Sequence, residues 1–484
     1  MLSHSDLLLQ ACLVGGDWIA ADDGGALPVL DPASGEKLGA VPNLGRAETR
    51  RAIEAAAAAL PGWRKLGARA RSDLMFKLYQ ALLDNADALG RLLTLEQGKP
   101  LAEATGEVVA GANYIRWFAE EARRVYGDTI PSPWPERRIL VTKEPVGVVG
   151  AITPWNFPSS MIARKLGAAL GAGCTIVIKP ASLTPFSGLA FGKLAEMVGF
   201  PAGVVNIVTG KASEIAAEMC EHPKLAKITF TGSTETGKRL ASQATAHMKR
   251  VSMELGGNAP FLVFDDADLE RAVAGAVLAK FRNGGQTCVA TNRFIVEAGV
   301  HDAFTEAFAA EVQKLAVGAG LEQGAQVGPL IDEAAVKKVE EHIADIASGG
   351  GRIVLGGRRH ARGGCFFEPT VATGVTGRMK VANEETFGPL APIFRVENEA
   401  EAIALANATE YGLAAYAYTS DLGRAFRVSE ALEYGLVGVN EGLISTEVAP
   451  FGGFKQSGMG KEGSKYGLDD YLNVKYTCLG GLGF

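Results

Sequence analysis

The chain has 484 residues, of which 47% are hydrophobic and 21% are charged, and its formal net charge is −6. This length exceeds what a single hydrophobic core serves and predicts about two or three domains. The composition is typical of a soluble α/β enzyme, and the mild acidity without a basic cluster argues against nucleic acid and anionic membranes as partners.

The sequence also bears on where the protein is located and on whether it binds a metal. Uncharged stretches are interrupted by polar residues, Gly or Pro before about 20 apolar residues accumulate, so no membrane span is expected. The apolar stretch 7–14 lacks the basic region and cleavage site of a secretory signal. The six scattered cysteines predict reduced thiols in a cytoplasm, and the six histidines show no ligand spacing, so we expect no metal site.

The N-terminal part of the chain predicts strands and then helices. Residues 12–42 carry turn signals at Gly15-Gly16 and at 31–35, which indicate short strands. Apolar residues then recur at helical spacing and predict two helices, each with one buried stripe. The stripes are Leu74, Leu78, Ala81 and Leu82 on the first helix, and Val108, Ala112, Ile115 and Ala119 on the second.

From Arg138 the pattern becomes extended. The runs 139–142 and 146–152 are separated by Lys-Glu-Pro, and we expect the first in a projecting arm and the second at the start of a buried sheet. Strands and helices then alternate, which predicts a parallel sheet covered by helices, with ligands at the carboxyl ends of its strands. The predicted strands are 175–178, 203–208 and 227–230, with a helix ending near Gly199.

A second α/β pattern begins after Gly257. It contains a strand at 261–264, a helix through Lys280 and further units to about Gly453. The segment 471–478 is again strand-like.

The turn between Phe281 and Cys288 carries the clearest chemical signal. Its sequence, Phe-Arg-Asn-Gly-Gly-Gln-Thr-Cys, surrounds one cysteine with small and polar residues. A structural cysteine usually lies among large apolar residues, whereas this stretch predicts a turn. A thiol in such a turn is a candidate nucleophile, because backbone amides and nearby cations can favour its thiolate.

This turn resembles that of the aldehyde dehydrogenase superfamily, and the resemblance extends over almost the whole chain. It implies an α/β fold with a Rossmann-type cofactor domain at 1–123 and 145–255 and an α/β catalytic domain at 256–456. It also implies a small β oligomerisation arm at 124–144 and 470–484, and hence a dimer or a tetramer.

The segment from Phe230 to Gly237 predicts a coenzyme loop. It places glycines and hydroxyls between a strand and a helix, where free amides and the helix dipole favour a pyrophosphate. The string is not Gly-x-Gly-x-x-Gly, so a simple turn with an N-cap is the alternative. The resemblance implies that Gly232, Ser233 and Gly237 lie near the phosphates.

Further residues predict which coenzyme is used. Lys179 ends a buried strand, where a lysine can bind ribose or phosphate oxygens. Ser182 stands where NAD-preferring relatives often carry an acidic residue, so NADP is the expected preference, with NAD as a second coenzyme. By the same resemblance, Glu385, Phe387 and Trp155 contact the coenzyme.

Two residues complete the predicted catalytic group. Asn156 lies between two prolines, in a loop that can fix its amide as an oxyanion donor beside the backbone amide of Cys288. Glu254 lies at the junction of the two α/β patterns, where partial burial raises the proton affinity of a carboxylate and suits a general base. The predicted reaction is oxidation of an aldehyde to an acid through a cysteine thioester.

The substrate prediction comes from residues 156–165, 440–453 and 455–466, which resemble the succinate-semialdehyde dehydrogenase branch. This resemblance implies that Arg164, Arg282 and Ser445 bind a carboxylate at the far end of the aldehyde, a task that suits arginine. Some family members carry a second cysteine two residues after the nucleophile, and here that position is Ala290. Glutarate semialdehyde, a broader aldehyde range and a catalytically idle protein of the same fold remain as alternatives.

Overall fold

The computed structural model describes residues 2–3 and 5–481, so Met1 and His4 of the predicted cofactor domain and residues 482–484 of the predicted arm lie outside the described residues. The N-terminal part combines short strands with long helices, as the turn signals and the apolar stripes predicted. In chain order these elements are β1 Cys12–Val14, β2 Asp17–Ile19, β3 Ala26–Leu30, β4 Lys37–Pro42, α1 Arg46–Lys65, α2 Ala68–Asp84, α3 Ala86–Gln97 and α4 Leu101–Glu121.

The predicted helical stripes are largely correct. On α4, Val108, Ala112, Ile115 and Ala119 are all buried. On α2, Leu78 and Leu82 are buried, whereas Leu74 and Ala81 are half-buried. The inward face of α2 is shifted slightly, because Met75 rather than Leu74 enters the core.

The first two strands of the arm are β5 Asp128–Ile130 and β6 Arg138–Pro145, and they are followed in chain order by the α/β units of the first large sheet. Those units are β7 Val148–Ile152, α5 Ser160–Ala172, β8 Thr175–Lys179, α6 Pro185–Met197, β9 Val205–Ile207, α7 Ala212–Glu221, β10 Leu225–Thr231, α8 Thr234–Thr245 and β11 Arg250–Glu254.

The second α/β part completes the chain. Its elements are β12 Ala259–Val263, α9 Leu269–Phe281, β13 Thr291–Glu297, α10 His301–Val312, α11 Glu333–Ser348, β14 Arg352–Leu355, β15 Thr370–Thr373, α12 Lys380–Asn383, β16 Leu390–Val396, α13 Glu399–Asn407, β17 Tyr411–Gly412, β18 Ala414–Tyr418, α14 Leu422–Ala431, β19 Leu436–Val439, β20 Phe454–Lys455, β21 Gly458–Met459, α15 Tyr466–Asp469 and β22 Leu472–Leu479. Short 3-10 turns lie at Ser5–Leu7, Ala122–Arg124 and Arg282–Gly285.

Two large sheets organise the molecule. The first is six-stranded, in the order β21-β11-β10-β7-β8-β9, and the second is seven-stranded, in the order β14-β15-β16-β13-β12-β18-β19. Within the first sheet, the pairs from β11 to β9 are parallel, and β21 adds an antiparallel edge. The α/β fold class predicted from the sequence is therefore confirmed, while the proposed domain boundaries stay a prediction.

The arm is a three-stranded antiparallel sheet in the order β22-β6-β5. Strand β6 runs through Pro145, beyond the predicted end at 142, because β22 pairs with it from Arg138 to Pro145. The segment Lys-Glu-Pro, expected to separate two strands, is thus part of the first one. Across the described ranges 2–3 and 5–481, no helix has both the length and the apolar character needed to cross a bilayer.

The parallel strand order brings the predicted motifs together. Strands β11, β10, β7 and β8 are neighbours, so their carboxyl ends share one edge of the sheet. Glu254 ends β11, Gly232 follows β10, Asn156 follows β7, and Lys179 ends β8. Ligands of open parallel sheets bind at this edge.

Candidate active site

The turn before Cys288 has a backbone that few residues adopt. Asn283 has φ 51° and ψ 33°, Gly284 has φ 61° and Gly285 has φ 78°. A side chain at Gly285 would place its Cβ 2.3 Å from the carbonyl oxygen of Gly388, so glycine is required there. This left-handed turn delivers Cys288, which is 9% exposed, to the junction of two cavities.

Asn283 is held in its unusual conformation by side-chain hydrogen bonds. Its Oδ1 accepts from Nε2 of Gln97 at 3.0 Å, and its Nδ2 donates to the backbone carbonyl of Asn156 at 2.9 Å. A non-glycine residue at positive φ is uncommon and marks a site where the surroundings fix the backbone. The nucleophile turn is therefore fixed directly against the Asn156 loop.

The surroundings of Cys288 favour its neutral thiol. Burial raises the pKa of the thiol well above its ordinary value, and the carboxyls of Glu254 and Glu385 raise it further, against the opposing charge of Arg164. Burial and the two carboxyls thus outweigh the effect of the nearby cation on this thiol.

The buried carboxyl of Glu254 neighbours this thiol. Burial raises the pKa of its carboxyl to about 8, and the charge of Glu462 adds to this, while Lys165 and Arg164 oppose it. Apart from the thiol of Cys288, which lowers the pKa of this carboxyl through a hydrogen bond, its oxygens have no partner within the described part of the chain. A buried carboxyl with so few partners is costly to keep, so its presence at the end of β11 indicates a chemical role.

Asn156 lies in the middle of the loop that joins β7 to α5. Its Nδ2 donates to the carbonyl oxygen of Gln286 at 3.0 Å, in the turn that carries Cys288. An amide nitrogen has two hydrogens, so the second one is not used by this bond. Beside it, the rings of Trp155 and Phe387 meet edge to face with centroids 5.5 Å apart.

Two cavities meet at Cys288. The first, of about 430 Å³, is lined by the three residues predicted to bind a carboxylate, namely Arg164, Arg282 and Ser445. The second, of about 210 Å³, is lined by most of the predicted coenzyme and catalytic residues. These are Trp155, Asn156, Gly232, Ser233, Glu254, Glu385 and Phe387. Cys288 and Met161 line both cavities.

The two arginines of the first cavity differ in their surroundings. The Arg164 guanidinium lies between the rings of Tyr114 and Phe451, 4.7 Å and 4.4 Å from their centroids, and 3.5 Å from a carboxyl oxygen of Glu462. Arg282 is half-buried over Phe157, and no described carboxylate forms an ion pair with it. Arg282 therefore has more of its charge available for a ligand.

Comparison with known proteins identifies the family. The aldehyde dehydrogenase family model matches residues 18–477. The chain belongs to the aldehyde dehydrogenase family.

Similar members of this family have related names. A glutarate-semialdehyde dehydrogenase of Pseudomonas aeruginosa is 57% identical over 481 residues, covering 99% of this chain and 100% of the relative. The NADP(+) succinate-semialdehyde dehydrogenase GabD of Escherichia coli is 57% identical over 479 residues, covering 99% of each. The crystal structure of succinate-semialdehyde dehydrogenase from Burkholderia pseudomallei matches with a TM-score of 0.97 at 57% identity, covering 98% of each chain. These matches confirm the predicted fold and family.

Three residues predicted for the coenzyme of this aldehyde dehydrogenase lie outside both cavities. The amine of Lys179 donates to the Ser182 hydroxyl at 3.2 Å, and burial lowers the pKa of this lysine to about 8. Gly237 lies inside the first turn of α8, where a Cβ would fall 2.2 Å from a methyl of Leu255. In this structure Gly237 thus permits close packing of α8 on the loop that follows β11.

Sequence reasoning missed two charged residues next to Glu254 in this aldehyde dehydrogenase. Lys165 forms a buried ion pair with Glu462 and also donates to the hydroxyl of Thr231 at 2.6 Å. Lys165 is the last residue of the stretch 156–165 that was used for the substrate prediction, but its partner Glu462 is 297 residues away in the chain. No local pattern reveals such a pairing, because it depends on how α5 packs against the C-terminal segment.

Proposed function

We propose that this protein oxidises succinate semialdehyde to succinate with NADP as preferred coenzyme, through a thioester on Cys288. The observation that carries the proposal is the meeting of two cavities at that thiol, one lined by arginines and the other by the coenzyme residues. The names of the relatives from Escherichia coli and Burkholderia pseudomallei support the same substrate.

The second cavity fits a nicotinamide coenzyme. Ser233 is the N-cap of α8 and makes no capping hydrogen bond with its side chain, so the first amides of the helix remain available to a pyrophosphate. The carboxyl of Glu385 is half-buried, and its one recorded hydrogen bond to a described residue is the 3.3 Å bond from the amide of Gly257, which leaves it capacity to accept from ribose hydroxyls. The chemistry that such a bound coenzyme supplies is acceptance of a hydride.

The protein residues account for the remaining steps. Glu254 removes the proton of Cys288, whose sulfur then forms a bond to the carbonyl carbon. The second Nδ2 hydrogen of Asn156 and the backbone amide of Cys288 stabilise the resulting oxyanion, and one such donor is typically worth about 3 to 4 kcal/mol. After oxidation Cys288 carries the acyl group as a thioester. Once Glu254 has released the thiol's proton to solvent, it takes a proton from water, the water oxygen bonds to the acyl carbon, and the carbon–sulfur bond breaks to release the acid, with the proton on Glu254 returning to the sulfur.

The first cavity supports an aldehyde with a distal carboxylate. Arg282 is the main candidate partner, and Nε of Arg164 is buried without a hydrogen-bond partner among the described residues. Glutarate semialdehyde is the second candidate, since the Pseudomonas aeruginosa relative bears that name. One additional methylene changes binding by only about 1 to 3 kcal/mol, so the two substrates must be separated by measurement.

A panel of aldehydes tests this function. Succinate semialdehyde, glutarate semialdehyde and butyraldehyde are each supplied with NADP and with NAD while reduced coenzyme is followed by absorbance. We expect the highest kcat/KM for succinate semialdehyde with NADP, and no turnover by folded Cys288→Ala. Higher efficiency for butyraldehyde would contradict the substrate, a strong NAD preference would contradict the coenzyme, and turnover by Cys288→Ala would contradict the mechanism.

We also propose a cytoplasmic homo-oligomer, with a tetramer as the expected form. The free cysteines at positions 12, 174, 220, 288, 365 and 478 support a reducing compartment. The arm supports assembly, because Ile130, Val474 and Tyr476 on its strands are 45%, 69% and 59% exposed. Exposed apolar side chains on a projecting sheet commonly mark an interface.

A further inference from the structure

A buried ion pair lies beneath the Asn156 loop. The ammonium of Lys99 is 2.6 Å from a carboxyl oxygen of Glu107, and these side chains are 0% and 2% exposed. Removing two charges from water costs free energy that their attraction often fails to recover. A contribution to stability therefore does not by itself explain why these two charges are buried. The other contacts of the pair indicate its role.

The pair holds both ends of the turn from Asn156 to Ser160. Lys99 donates from Nζ to the backbone carbonyl of Asn156 at 2.7 Å. Glu107 accepts from the backbone amides of Ser159 and Ser160 at 2.8 Å and 3.1 Å, at the N-terminus of α5. Ser159 makes no capping bond with its own side chain, so Glu107 supplies the cap from a neighbouring helix.

The same network reaches the nucleophile turn. The Asn156 carbonyl accepts from Asn283 as well as from Lys99, and Asn283 is held by Gln97. Gln97 in turn accepts from the backbone amide of Lys99 at 3.0 Å. Lys99 therefore connects the loop of the proposed oxyanion donor to the turn that carries Cys288.

We propose that Lys99 and Glu107 are positioning residues that set the Asn156 amide at the correct distance from Cys288. This inference rests on the proposed function, in which Asn156 stabilises the oxyanion. A misplacement of about 1 Å at a reacting centre can cost about a hundredfold in rate. Loss of the Lys99 bond should therefore slow acylation without changing how tightly the coenzyme binds.

The first test compares Lys99→Met with Lys249→Met. Lys249 is a matched control, because it too is buried and donates to two backbone carbonyls, those of His222 and Leu225, both at 2.6 Å. We expect Lys99→Met to lower the single-turnover rate of reduced-coenzyme formation about tenfold to a hundredfold, with an unchanged coenzyme Kd from fluorescence titration. An equal loss in Lys249→Met, or no loss in Lys99→Met, overturns the inference.

A double variant separates positioning from charge balance. Lys99→Met leaves Glu107 buried without its partner, and adding Glu107→Gln removes that charge while keeping an acceptor for the Ser159 and Ser160 amides. We expect the double variant to recover the thermal unfolding temperature but not the acylation rate. If the rate recovers together with the unfolding temperature, the pair only balances charge and the inference is wrong.

A cycle with Asn156→Ala distinguishes failure of this inference from failure of the proposed function. If Lys99 acts through Asn156, then Lys99→Met costs much less in the Asn156→Ala background than in wild type. If the losses of acylation rate from the two substitutions simply add, the positioning role of Lys99 is wrong, while the oxyanion role of Asn156 stands. A wild-type acylation rate in Asn156→Ala instead removes the oxyanion role itself.

Discussion

At the scale of single residues, the buried Glu254 carboxyl governs the expected pH response. Its pKa is about 8, because burial and the charge of Glu462 disfavour the carboxylate. Below that pH the group holds a proton and cannot accept another, so kcat should rise about tenfold per pH unit and level off above about 8. Glu254→Gln should be about 10² to 10⁴ slower, with a flat profile over the same range. A variant that keeps the wild-type pH profile would exclude Glu254 as the base.

The same carboxyl should lower stability at alkaline pH. Its pKa in the folded protein is raised, so the fold favours the neutral form, and the stability from this group is lost as pH rises from its ordinary value toward about 8. Folded Glu254→Gln should therefore unfold at a higher temperature than wild type at about pH 9, by roughly 2 °C or more. The difference in unfolding temperature between the variant and wild type should be smaller at about pH 6, because wild type has lost less stability there. Calorimetry at both pH values checks this, and a difference that is smaller at pH 9 than at pH 6 would contradict it.

At the same scale, we expect substrate choice to depend on Arg282. No described carboxylate lies within ion-pair distance of it, although its charge opposes the rise that burial causes in the pKa of the nearby Glu103 carboxyl, so truncation removes a contact to the substrate without breaking an ion pair. Arg282→Ala should lose a charge-assisted hydrogen bond of about 1.5 to 3 kcal/mol, or about tenfold to a hundredfold in kcat/KM for succinate semialdehyde. Butyraldehyde makes no such bond, so the efficiency ratio of the two aldehydes is the measurement. An unchanged ratio would mean that Arg282 is structural.

The sequence predicts residues that have local signals and misses those that depend on distant packing. Cys288 stands out because Gly and polar neighbours are unusual around a structural cysteine, and the structure places it in a left-handed turn. Lys99 and Lys165 carry no such signal. Their carboxylate partners come from the next helix and from the C-terminal segment, and burial of both partners decides their importance.

At the scale of elements, alternation of strands and helices is enough to predict where the motifs meet. Strands that end at one edge of a parallel sheet bring Glu254, Asn156 and Lys179 together, although they are far apart in the chain. The edges of the sheets were less predictable. Strand β21 joins the first sheet from the C-terminal part of the chain, and a two-residue strand has no periodicity that a sequence pattern could reveal.

The loop after β8 makes a prediction about the coenzyme. Ser182 accepts from Lys179, so a carboxylate at this position would pair with the lysine and repel a 2′-phosphate. Ser182→Glu should lower the ratio of kcat/KM with NADP to that with NAD about tenfold or more. Ser182→Gln has a similar size without the charge and should change the ratio much less. Equal shifts in both variants would attribute the effect to size and contradict an electrostatic selection.

At the scale of the whole molecule, the arm has two unlike faces. Residues directly opposite in antiparallel strands share a face, so Ile130 lies with Ile139, and Tyr476 lies with Val141. Val474 is two residues from Tyr476 and belongs to the same face, which is mainly apolar, with Lys143 opposite Val474 and Asp128 opposite Val141 as its charged members. The other face carries polar residues, among them Thr142 opposite Lys475. A solvated arm has no physical need for such a segregation, whereas an arm that docks against another copy of the chain does.

That asymmetry predicts which substitutions change the assembly. Val474→Asp places a charge on the apolar face, where Val474 is 69% exposed, and should shift the mass measured by light scattering toward a smaller oligomer at micromolar concentration. Thr142→Asp adds the same charge to the polar face of the same sheet and should leave the mass unchanged. Both sites lie outside the cavities at Cys288, so each variant should still form the thioester at a rate within about twofold of wild type. If the two variants dissociate equally, the apolar face is not the interface, and if neither dissociates, assembly depends on another part of the surface.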